Sequence, residues 1–151
     1  MAFRRTQGGK KMIVVDASVV AFLLLEGELT EASRQIYRID PEWITPPILN
    51  HELLNIISAV GTAGGDPDAL EAVWRDFRSL IGVRQQVPDP MRAFRLAIKL
   101  GLSSYETQYL ALSEQLNLPL VTEEEGLLMA APERAVSVEE FLRSRLSDAG
   151  S

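Results

Sequence analysis

The apolar residues of this chain fall into short continuous runs separated by longer stretches in which they recur every three or four positions. Met12-Ile13-Val14-Val15 has no polar interruption and is too short for a helix, the signature of a strand buried on both faces. A helix is expected directly after it, over 17–25. A short helix over 31–39 ends before Pro41, a brief strand follows over 43–45, and Pro46-Pro47 stops it. A helix over 48–60 then carries Leu49, Leu53, Ile56, Ile57 and Val60 on one face. After a glycine-rich loop over 61–65, Asp66-Pro67 opens a helix carrying Leu70, Val73, Trp74, Phe77, Leu80 and Ile81. Residues 83–87 alternate as a strand does. The helix over 90–100 is expected to turn Phe94, Ala97 and Ile98 inward and to end at Gly101, and the next, over 104–116, to bury Tyr109, Leu110, Leu112 and Leu116. A strand over 118–122, a short helix over 124–130, a strand over 135–138 and a helix over 139–146 complete the pattern. Strands alternating with helices predict an α/β domain, a mainly parallel sheet covered on both faces. At 151 residues there is one domain, read as 12–147. Residues 1–11 are read as a flexible extension or as residues added ahead of the natural start, and 148–151 as a flexible tail.

The formal charge of −6 argues against a general basic surface that coats nucleic acid. Arg92, Arg95 and Lys99 form a local basic stripe, which is either a solvated face or a track for phosphate. The chain has no cysteine, which removes disulfides and thiolate metal sites and fits a reducing cytoplasm. The apolar stretch over 14–25 is broken by Asp16 and Ser18 and is too short to span a bilayer, so neither membrane anchor nor signal peptide is expected.

Four carboxylates stand just outside apolar runs: Asp16, Glu52, Glu106 and Glu124. Asp16 closes the first strand and Glu124 follows the strand over 118–122, placing both at the ligand-binding edge of an open α/β sheet. Glu52 and Glu106 lie near the starts of amphipathic helices that a right-handed fold brings to the same edge. Like charges in one cleft repel, so gathering them points to a divalent cation. Ser18, Asn55 and Thr122 are placed to support the cluster from a second layer.

Each acid also has a plain structural reading. Asp16 is placed to cap the helix that follows it, and Glu52 to be an exposed first-turn acid. Ser103 to Glu106 and Thr122 to Glu125 both spell a capping box, in which Glu106 and Glu125 would be the capping acids and Glu124 would stay free. Glu123 and Glu125 read as solvated partners of a helix dipole. His51, the only histidine, points about 100° around its helix from Glu52 and reads as a surface residue.

Val14-Val15-Asp16-Ala17-Ser18, Glu52-Leu53-Leu54-Asn55, Ser104-Tyr105-Glu106-Thr107-Gln108-Tyr109-Leu110-Ala111-Leu112 and Leu120-Val121-Thr122-Glu123-Glu124, in that order, resemble the motifs of PIN-domain nucleases, in particular VapC-like toxins. The resemblance runs from about Met12 to Leu146. It implies a three-layer α/β/α domain with an acidic pocket that binds Mg²⁺ or Mn²⁺ through Asp16, Glu52, Glu106 and Glu124. It also implies endoribonuclease activity on single-stranded RNA, a small VapB-like antitoxin as partner, and a homodimer; the alternatives are a degenerate PIN domain acting as a binding module and an RNA-processing nuclease without a toxin role. Dimerisation is expected as well from the large apolar residues Trp43, Trp74, Phe77 and Phe94, which exceed what a core of this size hides. The chain departs from the family at two positions, since its third and fourth acids are usually aspartates and here they are Glu106 and Glu124. Each glutamate carries its carboxylate about 1.5 Å farther from the backbone.

Overall fold

A computed structural model describes residues 12–150; the segment 1–11, expected to be an extension, lies outside the described residues, as does Ser151. Met12–Val15 forms β1 and Ala17–Leu24 forms α1. They are followed by α2 (Thr30–Ile39), β2 (Glu42–Ile44), α3 (Ile48–Thr62), α4 (Pro67–Leu80), a 3-10 turn (Gly82–Arg84), α5 (Pro90–Leu100), α6 (Ser104–Leu116), β3 (Leu120–Val121), α7 (Glu125–Ala130), β4 (Ala135–Val136) and α8 (Val138–Ala149). The last helix thus continues into the segment expected to be a tail.

Among the described residues the sheet has the order β2-β1-β3-β4, with every pair parallel. Ile13, Val14 and Val15 have no exposed surface although successive side chains point to opposite faces, so helices cover both sides of β1. The chain leaves β1 for β2 on one side and later returns to β3 on the other. The C-terminal ends of β1 and β3 therefore lie side by side at the point where strand order reverses, where open α/β sheets form their ligand crevice.

Two elements differ from the pattern in the sequence. Residues 83–87 do not form a strand: after the 3-10 turn only Gln85 meets the sheet, through a single bridge to Thr45, with the Gln86 N–H donating to the Thr45 carbonyl at 3.0 Å. The next donors along this parallel register belong to Pro47 and Pro88, which have no N–H, so the ladder stops after one rung. The Gln85 side chain instead pairs with the Asn50 amide, donating at 2.7 Å and accepting at 3.1 Å.

The second difference is the face that α5 buries. Ala93 is buried while Phe94 and Ile98 point outward, 51% and 70% exposed. The Thr107 hydroxyl donates to the Ala93 carbonyl at 2.7 Å, a close approach of α6 to α5 that a small residue permits. Leu96 and Leu100 complete the inward face. Of the aromatics expected to be surplus, Trp43 and Phe77 are fully buried, and Trp74 packs on Phe77 with ring centroids 5.3 Å apart. Phe94 is left at the surface. No helix among the described residues is long and apolar enough to cross a membrane.

The closing helix is tied to α2 by a buried charge pair. Arg145 Nε donates to Asp40 Oδ2 at 2.8 Å, and its guanidinium lies 4.5 Å from the centroid of the Phe141 ring. The Asp40 side chain is 1% exposed, so removing its partner strands a buried carboxylate. Arg145→Ala is expected to lower unfolding free energy by about 3 kcal/mol in urea titrations. Arg38→Ala, which breaks an exposed pair with Glu31, should change it by about 0.5 kcal/mol or less. Equal effects of the two substitutions would contradict this assignment.

Candidate active site

Asp16 sits where β1 ends, with extended backbone, and is buried although it is a carboxylate. Its burial is offset by hydrogen bonds to both oxygens. Oδ1 accepts from the Ser18 hydroxyl at 2.7 Å and from the Val19 N–H at 3.1 Å, so Asp16 also caps α1. Oδ2 accepts from the hydroxyl of Thr122, which follows β3. The Thr122 oxygen in turn accepts from the Glu124 N–H at 2.9 Å. This corrects the capping-box expectation at 122–125: the Thr122 hydroxyl joins the ends of the two central strands instead of capping α7, whose first flanking residue is Glu124.

Glu52 projects from α3, half-buried, and accepts from the Tyr109 hydroxyl of α6 at 2.5 Å. Tyr109 is itself buried, and its hydroxyl bridges α6 to α3. Glu106 lies one turn before Tyr109 on α6. Its backbone N–H donates to Ser103 Oγ at 3.2 Å, as the capping expectation for this helix requires. Its Oε2 lies beside Gly126, where an added Cβ would come within 3.6 Å of that oxygen and 3.1 Å of Leu102 Cδ2. A side chain at Gly126 would press on Leu102, whereas its contact with the Glu106 carboxylate would be an ordinary one. Glu124 is exposed and its side chain makes no cap bond to α7.

All four expected carboxylates line one cavity of about 530 Å³, together with Ser18, His51, Asn55, Tyr105 and Tyr109. Thr122 supports it from behind through Asp16. His51 is exposed, as expected, yet stands on the cavity rim. Arg92, Arg95 and Lys99 line a separate depression of about 300 Å³ with Asp89 and Glu114. Glu123 departs from its expected solvated role, because its Oε1 accepts from the Val138 N–H at 2.8 Å and fastens the start of α8. Tyr109 was legible in the sequence only as a core residue. The signal for more was its position three residues after Glu106, on the same helical face.

Burial raises the Asp16 pKa to about 6; the Thr122, Ser18 and Val19 hydrogen bonds oppose that shift and the Glu124 charge adds to it. Glu52 is also pushed up, chiefly by burial and further by Glu124 and Glu106, while the Tyr109 hydrogen bond pulls it down. Burial, then the Glu52 charge, pushes the Tyr109 phenol up, so it stays a donor. The donor set is all oxygen, the chemistry that hard divalent cations take, and no lysine or arginine lines the cavity among the described residues. The residues therefore fit such an ion. No three His, Asp or Glu side chains among the described residues form an assembled cage as they stand. The hydrogen bonds to Asp16 and Glu52 hold those two in fixed orientations.

The raised Asp16 pKa has a sign that can be measured. The folded state holds the proton more tightly than the unfolded chain, so this group contributes stability below its unfolded pKa of 3.8 and loses it as pH rises through about 6. In chelator, the stability of Asp16→Asn relative to the parent should therefore rise by roughly 2 kcal/mol between about pH 4 and pH 7. Chemical denaturation at both pH values checks this, and a pH-independent difference would mean that the Asp16 carboxyl is not perturbed.

No protein of curated function matches the sequence significantly. PAE2754 from Pyrobaculum aerophilum shares the fold with a TM-score of 0.69 at 20% identity, over 92% of this chain and 98% of that one. VapC20 of Mycobacterium tuberculosis, a toxin that cleaves the sarcin-ricin loop, gives a TM-score of 0.56 at 13% identity, over 78% of this chain and 94% of its own. At such identities the likeness is one of fold. The family model for the PIN domain matches residues 13–131, a span that holds all four carboxylates of the cavity. This chain belongs to the PIN-domain family, whose members are in general nucleases.

Proposed function

We propose that the chain is a divalent-metal-dependent endoribonuclease of the VapC-like toxin type, cleaving single-stranded RNA in the cytoplasm. The observation that carries this reading is the convergence of Asp16, Glu52, Glu106 and Glu124 on one cavity whose described lining includes no cationic side chain to neutralise them. Mg²⁺ or Mn²⁺ bound there would neutralise phosphate oxygens and acidify a water for in-line attack. Asp16 is the central ligand, its orientation fixed by Thr122, Ser18 and Val19. Tyr109 fixes Glu52 in the same way. Glu106 and Glu124 complete the set, and Asn55 stands on the Glu52 side of the cavity to orient water or substrate.

An exposed apolar face supports the dimer in this reading. Val87, Met91, Phe94 and Ile98 are exposed along α5 and the segment before it, an apolar face suited to a homodimer. A small VapB-like antitoxin is the expected inhibitor, reaching the acidic cavity with a basic side chain. A second reading, a PIN domain that has lost catalysis and serves as a binding module, is favoured by the two glutamates and by the absence of a three-ligand cage among the described residues.

Cleavage separates the two readings. The parent chain with Mn²⁺ or Mg²⁺ should cut a labelled single-stranded RNA, and Asp16→Asn should slow this by roughly 100-fold or more, beyond the loss typical of a supporting residue. Glu106→Asp with Glu124→Asp should speed cleavage in Mg²⁺, the ion that tolerates displaced ligands least. Cleavage that is absent from the parent with either ion and appears only in the double variant would favour the degenerate reading.

A further inference from the structure

The same cavity has a wall that the carboxylates do not use. Ile48, His51, Asn55 and Ile56 recur on α3 at helical spacing, so they share with Glu52 the face that lines it. Ile48 and Ile56 are half-buried, packed on the core yet still part of the lining. Tyr105, on the first turn of α6, also lines the cavity and is 61% exposed. Among the described residues no aromatic ring and no guanidinium packs against the Tyr105 ring.

We infer that this α3–α6 side of the cavity, formed by Tyr105, Ile48, Ile56 and Asn55, is a nucleobase-binding subsite, an inference that rests on the nuclease reading of the carboxylates beside it. A base is flat and apolar on both faces and polar only at its rim. Tyr105 offers a stacking face, the isoleucines offer apolar contact, and the Asn55 amide offers a donor and an acceptor to a base edge. The wall carries no lysine or arginine, the side chains that most often receive phosphate. A nucleotide whose phosphate reaches the carboxylates can place its base within the same cavity of about 530 Å³, where Tyr105, Ile48, Ile56 and Asn55 offer uncharged surface beside the acids. Single-stranded RNA has unstacked bases to offer, whereas a duplex keeps them stacked.

The test uses probes that a phosphodiesterase does not cut. Binding of adenosine, guanosine, cytidine and uridine 5′-monophosphates to the full chain in Mn²⁺ is compared with binding of ribose 5-phosphate by ligand-observed NMR titration. At least one nucleotide should bind about 10-fold or more tightly than ribose 5-phosphate. Tyr105→Ala should erase that advantage, Tyr105→Phe should keep it, and Asn55→Ala should flatten the ranking among the four bases. Equal affinity for ribose 5-phosphate and every nucleotide overturns the subsite, as does a Tyr105→Ala loss that is the same for ribose 5-phosphate. RNA cleavage by the parent in the same buffer is read separately, so the subsite can fall while the nuclease reading stands, or base-dependent binding can persist where cleavage is absent.

Discussion

The hydrogen bond from the Thr122 hydroxyl to Asp16 joins the C-terminal ends of the two central strands, and the geometry of the cavity depends on it. A carboxylate placed directly after a fully buried strand loses its hydration, a loss that hydrogen bonds to both oxygens only partly replace. Burial outweighs the three donors, which is why the Asp16 pKa remains near 6. Around neutral pH the group is still mainly ionised, in a site that disfavours the charge. A bound cation would relieve this conflict, and the lining residues contain no side-chain cation that does so.

The same principle is repeated one layer out. Glu52 is pushed up by burial and by its acidic neighbours, and a buried phenol supplies the compensating donor. Glu106 and Glu124 are less buried: one is partly exposed beside Gly126 and the other is exposed. Two acids held by hydrogen bonds and two freer ones suit a chain in which the freer pair are glutamates, because a longer side chain needs freedom to retract.

The central strand and Asp16 were legible in the sequence because burial leaves a direct mark there. A strand covered on both faces has to read as Ile-Val-Val, and an acid after it is conspicuous. What failed to show was information held in distant partners. The Thr-x-x-Glu spacing at 122–125 spells a cap only while the hydroxyl has no better acceptor, and Asp16 lies 106 residues away in the chain. Tyr109 looks like any core residue until Glu52, 57 positions earlier, is found against its hydroxyl. On α5 the apolar pattern of Phe94 and Ile98 is real but faces outward, since periodicity marks an apolar stripe and does not say whether it meets the core or solvent. The alternation at 83–87 was likewise real, and prolines in the pairing register prevented it from becoming a strand.

The central claim is that Asp16 and the three glutamates around it form a divalent cation site. Calorimetric titration of Mn²⁺ into the metal-stripped full chain at neutral pH tests it most directly, with Asp16→Asn titrated alongside. The account predicts saturable binding by the parent, accompanied by release of protons from carboxyls whose pKa is raised, and loss of both in the variant. Equal binding by the two proteins, or none by the parent, would contradict it.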